Sequence, residues 1–129
     1  MLRVTLLAMF LLGFSAVAAD RSGEYVGTYT SSEGDAAGKL RIVIQKDGDT
    51  GWSCKVFFTP GDEEIATKPG SCSVDNDKIT TEFDADHGDA SFHATLKGTA
   101  VDEKSFEGTY ATAAGGEAGD HGKWKVSRR

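Results

Sequence analysis

The 129-residue chain contains little cysteine and proline, and it has no excess of basic residues. Its two cysteines are not spaced as a redox Cys-x-x-Cys motif, and the histidines (His87, His93 and His121) are not spaced around them as in a zinc finger. The 14 Lys and Arg residues are outnumbered by 20 Asp and Glu residues. This balance argues against a nucleic-acid partner, because binding to phosphates requires clustered basic side chains.

The N-terminal residues have the features of an export signal. Arg3 precedes an apolar run of about eleven residues, and small residues follow from Ala16 to Ala19. The run is shorter than the roughly 20 apolar residues that a membrane span needs, and no cysteine stands at the cleavage site to carry a lipid. We therefore expect a signal peptide at residues 1–19 and a single domain at residues 20–129. The protein would be periplasmic or secreted, and not membrane-anchored after cleavage.

Beyond residue 19, no segment has the spacing of an amphipathic helix. Apolar and polar residues instead alternate in short stretches that are broken by Gly, Asp and Asn, which is typical of half-buried strands joined by tight turns. We predict an all-β protein with eight strands: Glu24 to Ser31, Gly38 to Lys46, Gly51 to Thr59, Pro69 to Val74, Lys78 to Asp84, Ala90 to Gly98, Ser105 to Thr112 and Gly122 to Ser127.

The apolar residues of every predicted strand share one face, because successive side chains point to opposite sides. A run of eight antiparallel strands buries such a face by closing the sheet on itself, which also removes both sheet edges. The pattern therefore favours an eight-stranded antiparallel up-and-down barrel in which the first and last strands pair. A two-sheet sandwich of the same strands is the alternative.

The two cysteines are predicted to form a disulfide. Cys54 and Cys72 fall on the inner face of neighbouring strands, and an exported protein meets an oxidising compartment. The alternative is a pair of buried free thiols.

A short internal similarity links the two ends of the domain. Gly27-Thr28-Tyr29 is repeated as Gly108-Thr109-Tyr110, and each is followed by a small-residue loop and a Gly-Lys step, at Gly38 and Gly122. We expect the first and last hairpins to be similar units that lie side by side, although coincidence in a chain rich in Gly and Thr is the alternative.

The sequence also resembles the calycin barrels, which include lipocalins and avidins. The similarity consists of a Gly-x-aromatic opening at Gly23-Glu24-Tyr25, a Gly-Lys-Trp in the last strand at Gly122-Lys123-Trp124, and the terminal Arg128 and Arg129. Lipocalins usually have Trp at the position of Tyr25, and the avidin biotin pocket is not recognisable. The resemblance implies a calycin-like barrel and no particular ligand.

The interior is predicted to be mostly filled. Nine of the ten aromatic residues after residue 19 face inward, with Phe57 as the exception, and an eight-stranded barrel is only just wide enough for its side chains or one small ligand. The alternative is an apolar ligand pocket lined by Tyr25, Tyr29, Trp52, Tyr110 and Trp124.

One end of the predicted barrel is acidic. The four longer connections lie there, at Ser32 to Ala37, Pro60 to Lys68, Ala85 to Asp89 and Ala113 to His121, and with Asp84 they hold half of the 20 acidic residues. Within them, the alternating carboxylates Asp84, Asp86 and Asp89 suit a weak calcium site, because calcium prefers several oxygen ligands. The sequence indicates no other cofactor, and a solvated surface is the alternative.

These observations favour a non-catalytic binding module that uses its acidic, longer-looped end for a small apolar ligand or a basic protein partner. We expect no enzymatic activity, because the strand-borne His93 points outward and no oriented nucleophile–base pair is recognisable. The alternatives are a secreted or periplasmic inhibitor of a protease or other hydrolase, and a structural envelope protein. An unfilled apolar cavity would favour the binding module.

Overall fold

The computed structural model describes residues 20–129, and the predicted signal peptide at residues 1–19 lies outside them. The described chain forms nine strands: β1 (Gly23–Ser31), β2 (Ala37–Asp47), β3 (Gly51–Thr59), β4 (Ile65–Ala66), β5 (Lys68–Asp75), β6 (Lys78–His87), β7 (Ala90–Asp102), β8 (Ser105–Ala114) and β9 (Glu117–Arg128).

Within residues 20–129, no helix is long and apolar enough to cross a membrane.

All nine strands belong to one antiparallel sheet, in the order β4-β3-β2-β1-β9-β8-β7-β6-β5. The first and last strands pair as predicted, with Tyr25 opposite Arg128 and Ser31 opposite Gly122. The two ends of the sheet then meet at a seam between β3 and β5, where Cys54 and Cys72 form the predicted disulfide with their Cα atoms 5.5 Å apart. The protein is therefore a nearly closed antiparallel barrel.

The prediction of eight strands is wrong by one. The segment that we expected to be a loop before Pro69 contains β4, whose Ile65 and Ala66 pair with Phe58 and Phe57 of β3. The next residues turn to the other side of the seam, where Lys68 pairs with Asp84 of β6. A two-residue strand is too short to show the alternation on which the prediction depended.

The two ends of the barrel differ in their connections. We call the base the end that carries residues 48–50, 76–77 and 103–104, and the mouth the end that carries residues 32–36, 60–64, 88–89 and 115–116. Of the four connections at the mouth, only those after β1 and β3 are the longer loops that the sequence predicts. The strands β6 and β7, and likewise β8 and β9, instead pair up to two-residue turns. Glycines at positive φ form these turns, at Gly88, Gly115 and Gly116.

The base half of the interior is filled. Tyr25, Ile42, Ile44 and Phe106 are each at most 1% exposed, and the ring centroids of Tyr25 and Phe106 are 5.4 Å apart. Phe57 faces outward as predicted, with the Arg41 guanidinium 3.9 Å from its ring centroid.

Two arginines cover the base from outside. Arg21 donates to the carbonyl oxygens of Asn76, Asp102 and Glu103 at 3.0 to 3.2 Å, and its guanidinium lies 5.4 Å from the ring centroid of Phe106. Arg128 donates to the hydroxyl of Tyr25, which itself donates to the carbonyl oxygen of Arg21. The base is thus closed by residues that come before the first strand and at the end of the last.

The first and last hairpins have the same register, as the internal similarity predicts. Tyr29 lies opposite Gly38 in β1–β2, and Tyr110 lies opposite Gly122 in β8–β9. A Cβ atom at Gly38 would lie 2.7 Å from the Tyr29 hydroxyl, and one at Gly122 would lie 2.8 Å from the Tyr110 ring. Because each such Cβ atom would lie still closer to a main-chain oxygen of an adjacent strand, each glycine makes room both for that strand and for a tyrosine ring.

Candidate functional site

The mouth half of the barrel encloses a cavity of about 380 Å³. Apolar and aromatic side chains form most of its wall, with three polar residues near the opening. The lining residues are Tyr29, Ala36, Leu40, Phe58, Pro60, Phe83, His87, Phe92, Ala94, Leu96, Tyr110, Thr112, Asp120 and Trp124. Its size and mainly apolar wall are typical of sites for small molecules, which occupy roughly 300 to 1,000 Å³.

Small side chains leave this space open. Ala94 and Thr112 occupy inward positions of the mouth half, where the base half has Ile42, Ile44 and Phe106, and Ala36 borders the cavity from the loop after β1. The prediction of a mostly filled interior therefore holds for the base and fails at the mouth. Counting inward aromatic residues did not reveal this, because it ignored the small residues between them.

The aromatic residues of the wall contact one another edge to face. Tyr29 lies between Tyr110 and Phe58, with centroid distances of 5.9 and 6.3 Å, and Phe58 also contacts Phe92 at 6.0 Å. Such pairs are favoured by the charge distribution of aromatic rings. Their mutual packing holds the wall in place without a ligand.

A polar cluster interrupts the wall at Asp120. One carboxylate oxygen accepts a hydrogen bond from Ser31 Oγ at 2.5 Å, and the other accepts one from the Tyr110 hydroxyl at 2.8 Å. Thr112 Oγ1 donates to the Asp120 main-chain oxygen at 3.0 Å. The register shift between Ala111 and Ala113 of β8 lies at this point.

Asp120 is ionised at neutral pH. Burial raises the pKa of its carboxyl group, but the hydrogen bonds from Ser31 and Tyr110 outweigh burial and hold the pKa below its ordinary value. Burial, and to a lesser extent the hydrogen bond to Asp120, raises the pKa of Tyr110. Burial, and to a lesser extent the nearby charge of Asp120, also raises the pKa of Tyr29. The site therefore combines an apolar wall with one fixed negative charge and neutral tyrosines.

The structure separates the five residues predicted to line a pocket. Tyr29, Tyr110 and Trp124 lie at the cavity, where Trp124 is only 3% exposed and donates from Nε1 to the carbonyl oxygen of Thr109. Tyr25 belongs to the filled base and is fully buried. Trp52, on the base side of β3, is partly buried beside Lys46.

Several cavity residues were not singled out from the sequence. Leu40, Phe58, Phe83, Phe92 and Leu96 were predicted to face inward, but nothing in their pattern told the mouth from the base. The sequence pattern predicts a loop at Asp120, because the last predicted strand begins at Gly122. Extending β9 back by two residues puts Asp120 on the inner face with Gly122 and Trp124, and this signal was available in the alternation.

Many acidic residues around the mouth have partners. Glu64 pairs with Arg41, Asp86 with Lys68, and Glu33 with His121, at N–O distances of 2.8, 3.5 and 3.0 Å. The first two pairs, with Arg41 and Lys68, neutralise part of the acidic end that the sequence predicts.

Of the three carboxylates predicted to bind calcium, Asp84 and Asp86 lie on the outside of the barrel, and Asp89 lies in the turn between β6 and β7. Strand β6 continues to His87, so Asp84 and Asp86 both face outward on either side of the buried Ala85. Asp84 contacts His93 Nδ1 at 2.8 Å, and Asp86 accepts a hydrogen bond from Ser91 at 2.6 Å. Among the residues from 20 to 129, no group of three or more His, Cys, Asp or Glu residues is arranged to hold a metal ion.

The chain matches no protein-family model, no curated protein and no solved structure.

Proposed function

We propose that this protein is an exported, non-catalytic binding module that holds a small apolar ligand in the mouth cavity. The observation that carries the proposal is the cavity itself, whose wall is formed by packed aromatic and aliphatic side chains. An apolar cavity of about 150 Å³ is enough to hold a benzene molecule. The space of about 380 Å³ is large enough for one or two rings or a medium-length alkyl chain.

A calycin-like barrel and a periplasmic or secreted location belong to the same proposal. The disulfide supports an oxidising compartment, since such bonds persist in exported proteins. The pairing of the first and last strands and the contact of Arg128 with the Tyr25 ring, 5.5 Å from guanidinium carbon to ring centroid, support the calycin-like architecture.

Titration with N-phenyl-1-naphthylamine, an apolar and uncharged fluorescent probe, tests ligand binding. We expect saturable one-to-one binding with a rise in probe fluorescence and quenching of Trp124, which borders the cavity. Absence of saturation up to the solubility limit of the probe would contradict the proposal.

A matched pair of variants locates the binding site. Ala94→Phe places a ring in the cavity, whereas Thr95→Phe adds the same ring to the next residue of β7, which points to the outer face. We expect Ala94→Phe to lose probe binding and Thr95→Phe to keep it. Melting curves of both variants show whether each is folded, and equal binding by both would place the probe outside the cavity.

A further inference from the structure

The chemistry of the cavity also limits which ligands it accepts. This inference rests on the proposed function. We propose that the cavity selects amphiphiles with a cationic amine. The apolar part of such a ligand fills the cavity against the aromatic wall, and its ammonium group binds the Asp120 carboxylate.

The first argument is the position of Asp120. It faces inward on β9, two residues before Gly122 and four before Trp124, and it borders the cavity. A ligand whose apolar part fills the cavity therefore has its polar end within reach of this carboxylate. A buried charge that loses water is stabilised by an opposite charge or by hydrogen-bond donors.

The second argument is that the carboxylate retains capacity for a further donor. Ser31, Tyr110 and the main-chain N–H of His121 each donate one hydrogen bond to it, and an ionised carboxylate offers about four acceptor positions. Within residues 20–129, no side-chain nitrogen of Lys, Arg or His lies within 4.0 Å of its oxygens, and the nearby His121 side chain contacts Glu33 instead. Asp120 thus differs from Glu64 and Asp86, whose charges are already paired with Arg41 and Lys68.

The third argument is what the site would reject. A fatty carboxylate in the same position would bring two negative charges together in a partly desolvated site, where their repulsion is stronger than in water. Tyr29 and Tyr110 are neutral, and the hydroxyl of Tyr110 already donates to Asp120. His87 also borders the cavity. It is the side chain at which a ligand carboxylate would bind in the opposite case, and the competition experiment below compares the two.

Competition with N-phenyl-1-naphthylamine measures the preference. Octylamine, 1-octanol and octanoate have the same chain length and carry a positive, no and a negative charge at pH 7. A charge-assisted hydrogen bond predicts that octylamine binds roughly ten- to one-hundred-fold more tightly than 1-octanol, with octanoate the weakest.

Two charge-removing variants show whether Asp120 itself is responsible. In Asp120→Asn, the amide keeps the shape and an acceptor oxygen, so we expect the fold to persist and octylamine to bind no more tightly than 1-octanol. Glu117→Gln removes the same charge from an exposed residue beside the β8–β9 turn and should retain the preference. Melting curves check that both variants are folded.

The other outcomes separate this inference from the proposed function. Equal affinity for the three octyl compounds, or tighter binding of octanoate, would refute amine selection while leaving an apolar site intact. A preference that survives in Asp120→Asn, or that falls equally in Glu117→Gln, would assign it to the general field of the mouth and refute the role of Asp120. If neither the probe nor any octyl compound binds, both proposals fail.

Discussion

Reduction of the Cys54–Cys72 disulfide should lower the melting temperature considerably, because this bond links the two strands at the seam. The order of the described strands ends at β4 and β5, and because β4 pairs with only two residues of β3, most of the seam lies between β3 and β5. On the mouth side, Thr67 donates to the carbonyl oxygen of Val56 through both its main-chain nitrogen and its hydroxyl. The disulfide is the covalent link on the base side of that contact.

The magnitude follows from the length of chain that the bond closes. The two cysteines are 18 residues apart, and a loop of that length gives about 3 kcal/mol in the chain-entropy model. An unfolding entropy of roughly 2.1 cal/mol/K per residue gives about 0.23 kcal/mol/K for a domain of about 110 residues. The expected decrease in melting temperature is therefore about 13 °C.

Circular dichroism melts with and without a phosphine reductant measure this decrease, and mass spectrometry verifies that the bond is reduced. The Cys54→Ala/Cys72→Ala variant is the control, because its melting temperature should not respond to the reductant. A change of less than about 3 °C in fully reduced protein would refute the reasoning, since the seam would then be held by packing and the unfolded chain would gain little freedom.

Three further predictions concern stability. Trp124→Ala should lower the free energy of unfolding in urea by about 3 kcal/mol, the low end of the range for buried aromatic residues, because one side of the ring already faces the cavity. Arg21→Ala should lower the free energy of unfolding by about 2 kcal/mol, because it removes the hydrogen bonds to main-chain carbonyl oxygens at the base. The matched Arg129→Ala should leave the free energy of unfolding almost unchanged, because the Arg129 side chain is 65% exposed. Hydrogen bonds to Asp84, and to a lesser extent to Glu82, raise the pKa of His93. The protonated imidazole therefore stabilises the fold fully below its unfolded pKa of about 6.5, and this stabilisation is lost as the pH rises through the folded pKa. The stability difference between wild type and His93→Gln should thus shrink from pH 6 to pH 9, by less than about 1 kcal/mol because the His93 side chain is 47% exposed, and a difference that grows would contradict this assignment.

The inner face, the pairing of the first and last strands and the disulfide could all be predicted from the sequence. Each depends on the two-residue period of a strand, which places residues such as Cys54 and Trp124 on one side without knowledge of the tertiary fold. The short strand β4 could not be predicted, because Ile65 and Ala66 are held by pairing with β3 and not by a pattern of their own.

The ends of the strands explain most of the errors at the mouth. Asp84 and Asp120 were both expected to border or lie in loops, since Asp and Gly usually end strands. Hairpin pairing instead extends β6 to His87 and starts β9 at Glu117. The extension puts Asp86 on the outer face, where alternation already places Asp84, and Asp120 on the inner one, because alternation continues through each added residue. A shift of a few residues in a strand boundary thus moved the expected polar site from the outer rim to the inner wall.

The cavity and the reinforced base are physically related. At about 24 cal/mol per Å³, an empty and closed cavity of this size would cost about 9 kcal/mol relative to a packed core, an upper limit here because the mouth is open. That is comparable to the whole stability of a typical domain, about 5 to 15 kcal/mol. The disulfide, Arg21 and the packed aromatic rings at Tyr25 and Phe106 lie at the seam and the base, where they add stability without occupying the mouth. This division allows a ligand to enter and leave without unfolding the barrel, and it implies that Ala94→Phe should gain stability as it loses binding. A variant that lost both would indicate that the mouth has no unfilled space for the ring.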